Sequence, residues 1–224
     1  MSVKLKKKKY WDKFYSEKKA PLKSSSFAKF SLRFIKDKKE DILIDVGCGN
    51  GRDTLFFLKK GFKCYGIDQS KSIITKNKKI YPKYKKYFLQ KDLSKINFSK
   101  ITKKNFSIYS RFSLHAINDY EEKNFFNNLF KSEKLKYLMI ETRTVHDELF
   151  GKGKKISDNE YLTDHYRRFI NPIEVKKRLK NKFKLIYSFL GKNVAKFKKE
   201  NPKVLRIIYK NERSKFFRHN FNSK

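Results

Sequence analysis

Short apolar runs alternate with amphipathic stretches along most of the chain, and that alternation predicts the architecture before any single residue does. Ile42-Leu43-Ile44-Asp45-Val46 is almost fully apolar, as a strand buried in a parallel sheet must be. Residues 52–60 read as a helix ended by Gly61. Residues 62–67 read as the next strand, and 70–79 as a helix with Ser70 at its N-cap. Strands follow at 87–90, 106–112 and 137–141, with a helix at 121–131. Pro172 suits the first turn of a helix through Leu179. Two β-rich runs, 183–190 and 204–209, close the pattern. This order predicts an α/β sheet with one reversed edge strand. The segment between Glu141 and Pro172 is long and irregular, the kind of connection that is functional or disordered.

No internal repeat and no Pro/Gly/Ser-rich linker divides the 224 residues, which suit one α/β domain with an N-terminal extension. Residues 1–40 form the extension, a polar arm and helix carrying Tyr10, Trp11, Phe14 and Tyr15 as a lid or acceptor-side element. Residues 41–210 form the main domain and 211–224 a basic tail. Apolar residues at 38% allow a packed core. The charge is extreme: 58 Lys+Arg against 22 Asp+Glu gives +36, a balance that points to a polyanionic partner. Of those 58, 48 are Lys and 10 Arg, beside abundant Asn, Ile, Phe and Tyr, a mix that an AT-rich genome also imposes. No run approaches the roughly 18 apolar residues of a membrane span, so no membrane insertion is expected. The basic N-terminus lacks the apolar region of a signal peptide. Cys48 and Cys64 make neither a disulfide framework nor a metal site, and a cytoplasmic, metal-free protein is expected.

The sharpest local signal is Asp45-Val46-Gly47-Cys48-Gly49-Asn50-Gly51, between the first strand and the first helix, where glycines permit a tight turn and close approach of a ligand. It is neither the G-x-G-x-x-G of dinucleotide enzymes nor a P-loop. Asp68 ends the second strand, where a carboxylate can accept from ribose hydroxyls, and Asp92-Leu93 follows the third.

These residues resemble the class I S-adenosylmethionine-dependent methyltransferases: an acid and G-x-G-x-G after the first strand, an acid ending the second, an acid and an apolar residue after the third. The resemblance covers roughly residues 40–210. It implies a Rossmann-like, seven-stranded, mostly parallel sheet with helices on both faces and one antiparallel strand near the C-terminal end, lying between its neighbours. It implies S-adenosylmethionine as cofactor, with Gly47, Gly49 and Gly51 lining the methionine moiety, Asp45 orienting its amino group, Asp68 at the ribose, Asp92 and Leu93 at the adenine edge, and Cys48, Asn50 and Gln69 also among the cofactor-binding residues.

After the fourth strand, where amino-methylating relatives usually carry Asp/Asn-Pro-Pro-Tyr, this chain has Tyr109-Ser110-Arg111-Phe112-Ser113-Leu114-His115. Neither cysteine follows a proline, as a C5-cytosine nucleophile would. Four further pieces resemble methyltransferases of bacterial surface-polysaccharide biosynthesis. They are Tyr10 to Tyr15, Tyr109 to Ile117, Glu141 through Gly153, and Asp164-His165-Tyr166-Arg167-Arg168-Phe169. Some members of that group are thought to methylate a phosphate or phosphoramidate on sugar. Methyl transfer from a sulfonium is an in-line displacement, so the enzyme mainly aligns the reacting atoms. A hydroxyl acceptor needs a base, for which His115 and His165 are candidates, whereas an ionised phosphate needs only cationic positioning, for which Arg143, Arg167 and Arg168 are candidates. The expected acceptor is therefore a small-molecule or glycan-linked anion. The alternatives are an RNA-modifying methyltransferase and a non-catalytic S-adenosylmethionine-binding module. Lysine is absent from 41–58, 105–122, 137–151 and 156–175, which hold the glycine loop and nearly all acceptor candidates, so most of the charge reads as surface background.

Overall fold

The computed structural model describes residues 10–15, 17, 20–35 and 41–212; the expected 211–224 tail lies almost wholly outside them. Residues 10–15 are helical (α1), and α2 spans Ser26–Ser31. Then follow β1 (Ile42–Val46), α3 (Arg52–Lys59), β2 (Lys63–Asp68), α4 (Lys71–Ile80), β3 (Phe88–Gln90), β4 (Phe106–Arg111), α5 (Asp119–Phe130) and β5 (Leu135–Arg143). The chain continues with β6 (Lys154–Ser157), β7 (Glu160–Leu162), β8 (Tyr166–Arg168), α6 (Pro172–Lys180), β9 (Lys184–Gly191) and β10 (Val204–Lys210).

The main sheet runs β3-β2-β1-β4-β5-β10-β9. Strands β1 to β5 pair in parallel, and β10 is antiparallel to both β5 and β9. This is the Rossmann-like, mostly parallel sheet that the resemblance implied. The reversed strand is β10, an inner strand, so the reversed edge strand expected from the hydrophobic pattern is corrected. Apolar runs show which strands are buried, while strand order depends on where the chain crosses over.

Helices cover both faces. On one, α5 and α6 contribute Phe125, Phe126, Leu129, Val175 and Leu179 to the core over Ile44, Ile108, Ile140 and Ile207. On the other, Phe27 and Ala28 of α2 and Phe57 of α3 pack over Leu43, Tyr109, Met139 and Ile208. Ser25 caps α2 by accepting from the Ala28 N–H, and its own N–H and Oγ–H donate to Asp53 of α3 at 2.7 Å each. Tyr109 donates to the same carboxylate at 2.7 Å. That buried junction makes α2 integral to the main body.

The segment between Glu141 and Pro172 is ordered, with a small antiparallel sheet, β6-β7-β8. It escapes the hydrophobic pattern because all four β6 residues are exposed and the other strands have three residues each.

Candidate functional site

Several elements converge on one cavity of about 230 Å³ at the carboxyl ends of β1, β4 and β5, where the strand order reverses between β1 and β4. A crevice at such a switch point is the usual ligand site of an open α/β sheet.

Its first wall is the glycine loop. Gly47 and Gly49 have φ of 74° and 52°, the left-handed region where a side chain is strained. A Cβ at Gly47 would also collide with Ser113, and one at Gly49 with the Tyr15 hydroxyl. The loop is tied down from behind. Gly47 and Cys48 donate to the Ile67 carbonyl at 2.7 and 3.0 Å, and Gly49 donates to Asp68 at 3.0 Å. Asn77 donates to the Gly49 carbonyl at 2.7 Å. Asp68 also accepts from the Ser70 N–H at 2.9 Å, so both of its oxygens hold backbone. Burial pushes its carboxyl up, against those bonds.

Asp45 faces the cavity with the Thr54 hydroxyl, 2.6 Å away, as its hydrogen-bond partner among the described residues. Burial, reinforced by the charge of Asp53, pushes it up to about 8. A buried carboxylate with one neutral donor and a neighbouring anion favours a cationic ligand.

The opposite wall is cationic. Arg111 ends β4, Arg143 ends β5 and Arg167 lies in β8, and all three line the cavity; a fourth lining arginine, Arg52, opens α3 on the glycine-loop side. Glu141, fully buried, lies 2.7 Å from Arg111 Nε and accepts from Arg206 at 2.6 Å, one anion between two guanidiniums. Arg143 pairs with Asp147 and Glu200, and Arg167 with Asp164. Phe112 is the platform beneath: its ring centroid is 4.3 Å from the Arg111 guanidinium and 5.9 Å from that of Arg143. Phe112 holds φ of 54°, a strained conformation for a bulky residue, and strain of this kind clusters at ligand sites.

Both histidines feel this field. Burial and then Arg167 push His165 down to about 4, although Asp164 lies 3.0 Å from its Nδ1. Burial, followed by Arg143, His165 and Arg167, holds His115 well below the usual imidazole range. Its Nδ1 is buried with no hydrogen-bond partner among the described residues. Both rings are therefore neutral near pH 7.

Helix α1 closes the top. Tyr10 stacks on His165 with centroids 4.0 Å apart, and Trp11 lies 5.4 Å from the same ring. Ser70 donates to Asp12 at 2.7 Å, and Lys76 donates to the Tyr15 carbonyl at 2.7 Å. The helix thus bridges the glycine-loop side and the histidine side.

Of the residues expected from the sequence, the cavity gathers Asp45, Gly47, Cys48, Asn50, His115, Arg143, His165 and Arg167. Gly49, Gly51, Asp68 and Gln69 shape or flank the loop from outside the lining, and Gly49 lies under Tyr15. Asp92 caps a short turn by accepting from Ser94, and Leu93 is buried in the main core. Arg168 turns away, donating to the Ile117 carbonyl at 3.0 Å and pairing with buried Glu122. Unanticipated in the lining are Asp53, Phe197, Glu200 and Pro202. The last three lie in the polar stretch between β9 and β10, where no motif marks them.

The family model described as a methyltransferase domain matches residues 43–134. Among solved structures, a SAM-dependent methyltransferase from Anabaena variabilis superposes with a TM-score of 0.66 at 17% identity, covering 95% of this chain and 96% of that one. One from Methanosarcina mazei gives 0.65 at 17% identity, covering 80% and 96%. The glycopeptide N-methyltransferase MtfA complexed with S-adenosyl-L-homocysteine gives 0.63 at 13%, covering 84% and 90%. No curated protein sequence matches. These likenesses show the fold.

Proposed function

We propose that the chain is an S-adenosylmethionine-dependent methyltransferase that O-methylates a small or glycan-linked anionic acceptor. One observation carries the reading: a single cavity sets a buried carboxyl group, Asp45, across from three arginines, Arg111, Arg143 and Arg167, and two neutral histidines. When bound, S-adenosylmethionine supplies an electrophilic methyl group on a sulfonium. Asp45, Gly47, Cys48 and Asn50 would hold its amino-acid end; Asp68 and Asp92 belong to the adenosine side. The carboxylate suits a cationic donor and the guanidiniums an anionic acceptor, which keeps the two ligands apart by charge.

Arg111, Arg143 and Arg167 present forked donors that orient an oxyanion for in-line attack. An ionised phosphate oxygen needs no base. A hydroxyl beside the anion would pass its proton to His165 or His115, whose basicity rises as the acceptor's charge offsets the neighbouring arginines.

Trp11 is the chain's single tryptophan and lines the cavity, so its fluorescence reports occupancy directly. With S-adenosylhomocysteine present, sugar phosphates should shift that emission, and Arg143→Ala or Arg167→Ala should abolish the response while leaving S-adenosylhomocysteine affinity within about threefold. Equal responses to uncharged sugars and sugar phosphates would remove the anionic-acceptor reading.

A further inference from the structure

Exposed lysines crowd the end of α4 and the short 3₁₀ turn Pro82–Tyr87, on the β3 edge of the sheet. Residues 69–91 contain no carboxylate and no arginine. Lys78, Lys79, Lys83, Lys85 and Lys86 are all exposed, and none pairs with a carboxylate among the described residues. Exposed lysines elsewhere, Lys177, Lys180 and Lys182 among them, also lack a carboxylate partner among the described residues, but carboxylates stand close in sequence to them, and on the β9 side Lys184 pairs with Glu212 and Lys192 with Glu148. Two lysines at a helix end complement its dipole. Five within nine residues, without counter-charge, exceed that need.

The aromatic residues of this patch are half-buried and packed against the body. Tyr81 stacks on Phe88 with centroids 6.1 Å apart, Tyr87 lies 5.5 Å from Tyr65, and Tyr84 packs on the Ile73–Phe88 cluster. Lys83 and Lys86 lie over the rings of Tyr84 and Tyr87, 6.0 and 5.3 Å from their centroids, so these rings are already engaged rather than left as bare stacking faces for single-stranded nucleic acid, and no arginine offers a fork for its phosphates. In the middle sits Ile80, 52% exposed. An aliphatic side chain ringed by ammonium groups suits a lipid interface, where the lysines meet anionic headgroups and the side chain enters the acyl boundary.

We infer that this β3-edge patch docks the protein peripherally on an anionic phospholipid bilayer. The inference stands apart from the proposed reaction, because the patch contributes nothing to the cavity lining.

The test is sedimentation of the full chain, at physiological salt, with vesicles of phosphatidylglycerol and phosphatidylcholine or of phosphatidylcholine alone. The unaltered chain should partition onto the anionic vesicles only. Replacing Lys78, Lys79, Lys83, Lys85 and Lys86 with Glu should reduce partitioning at least about tenfold. Replacing Lys177, Lys180, Lys182, Lys196 and Lys199 with Glu makes the same change in net charge away from the patch, and should reduce it far less. Ile80→Ser should weaken binding several-fold without changing net charge. Circular dichroism verifies the folding of each variant. Equal losses in the two five-lysine variants, or no binding by the unaltered chain, would overturn the inference. So would poly(U) RNA that binds more tightly than the vesicles and loses affinity with the patch variant.

Discussion

Asp45→Asn should make the protein more stable and its cofactor site worse. The native carboxyl is raised to about 8, whereas an unfolded aspartate titrates near about 3.9. Between those values the native chain holds a proton that the unfolded chain releases. Wild-type stability therefore loses about 1.4 kcal/mol per pH unit from this group, until the native carboxyl itself ionises. At pH 7 the accumulated penalty is about 4 kcal/mol. Asn has the shape of the protonated acid and still accepts from Thr54, while its extra N–H group, left without a partner, offsets about 1 kcal/mol. The net gain should be about 3 kcal/mol at pH 7, or about 10 °C in Tm, shrinking to about 1 kcal/mol or less at pH 5. Urea unfolding of both chains across that range reads the difference free of other titrating groups. Calorimetry should show S-adenosylmethionine affinity at least about tenfold weaker in the variant. An Asn variant no more stable than wild type at pH 7, with the same pH slope, would refute the claim that burial and Asp53 hold the Asp45 carboxyl up.

Other expectations follow from the same geometry. Asp68→Ala frees the Gly49 and Ser70 N–H groups, so S-adenosylmethionine affinity should fall at least about tenfold by calorimetry; unchanged affinity would contradict the loop's dependence on it. Arg167→Ala should lose the sugar-phosphate response of Trp11, whereas Arg168→Ala should keep it and lose about 2–4 kcal/mol in urea unfolding, because buried Glu122 then keeps only the half-buried Arg178 as a cationic partner. Identical behaviour of the two variants would reject the separation. His165 is depressed to about 4, so below about 6.5 the unfolded chain binds a proton that the native ring does not, and stability falls as pH drops. His165→Asn should flatten that acid limb in urea midpoints taken at pH 7 and pH 4.5. Phe112→Gly should relieve about 1 kcal/mol of left-handed strain yet weaken sugar-phosphate binding, since Arg111 and Arg143 lose their platform; undiminished binding would make Phe112 purely structural.

The parallel strands were legible because each carries apolar residues that must be buried, almost uninterrupted in β1, and Ser70, Gly61 and Pro172 mark helix ends by local chemistry. The glycine loop was legible for the same reason, since a left-handed turn after a strand calls for glycine. Strands β6 to β8 were not, because an exposed strand such as Lys154–Ser157 has no hydrophobic signature. Arg167 and Arg168 look equivalent in sequence, but adjacent strand residues point to opposite faces, sending one to the cavity and the other to Glu122. The place of Tyr15 over Gly49 depends on how α1 docks through Asp12, which no local pattern encodes.

The most direct test of the account is to incubate the chain and cell extract with methyl-tritiated S-adenosylmethionine, then separate small anionic molecules, glycans, RNA and protein. Label should appear in the phosphate-bearing small-molecule or glycan fraction and be lost with Arg143→Ala. Label in RNA or protein, or none in any fraction, would contradict it.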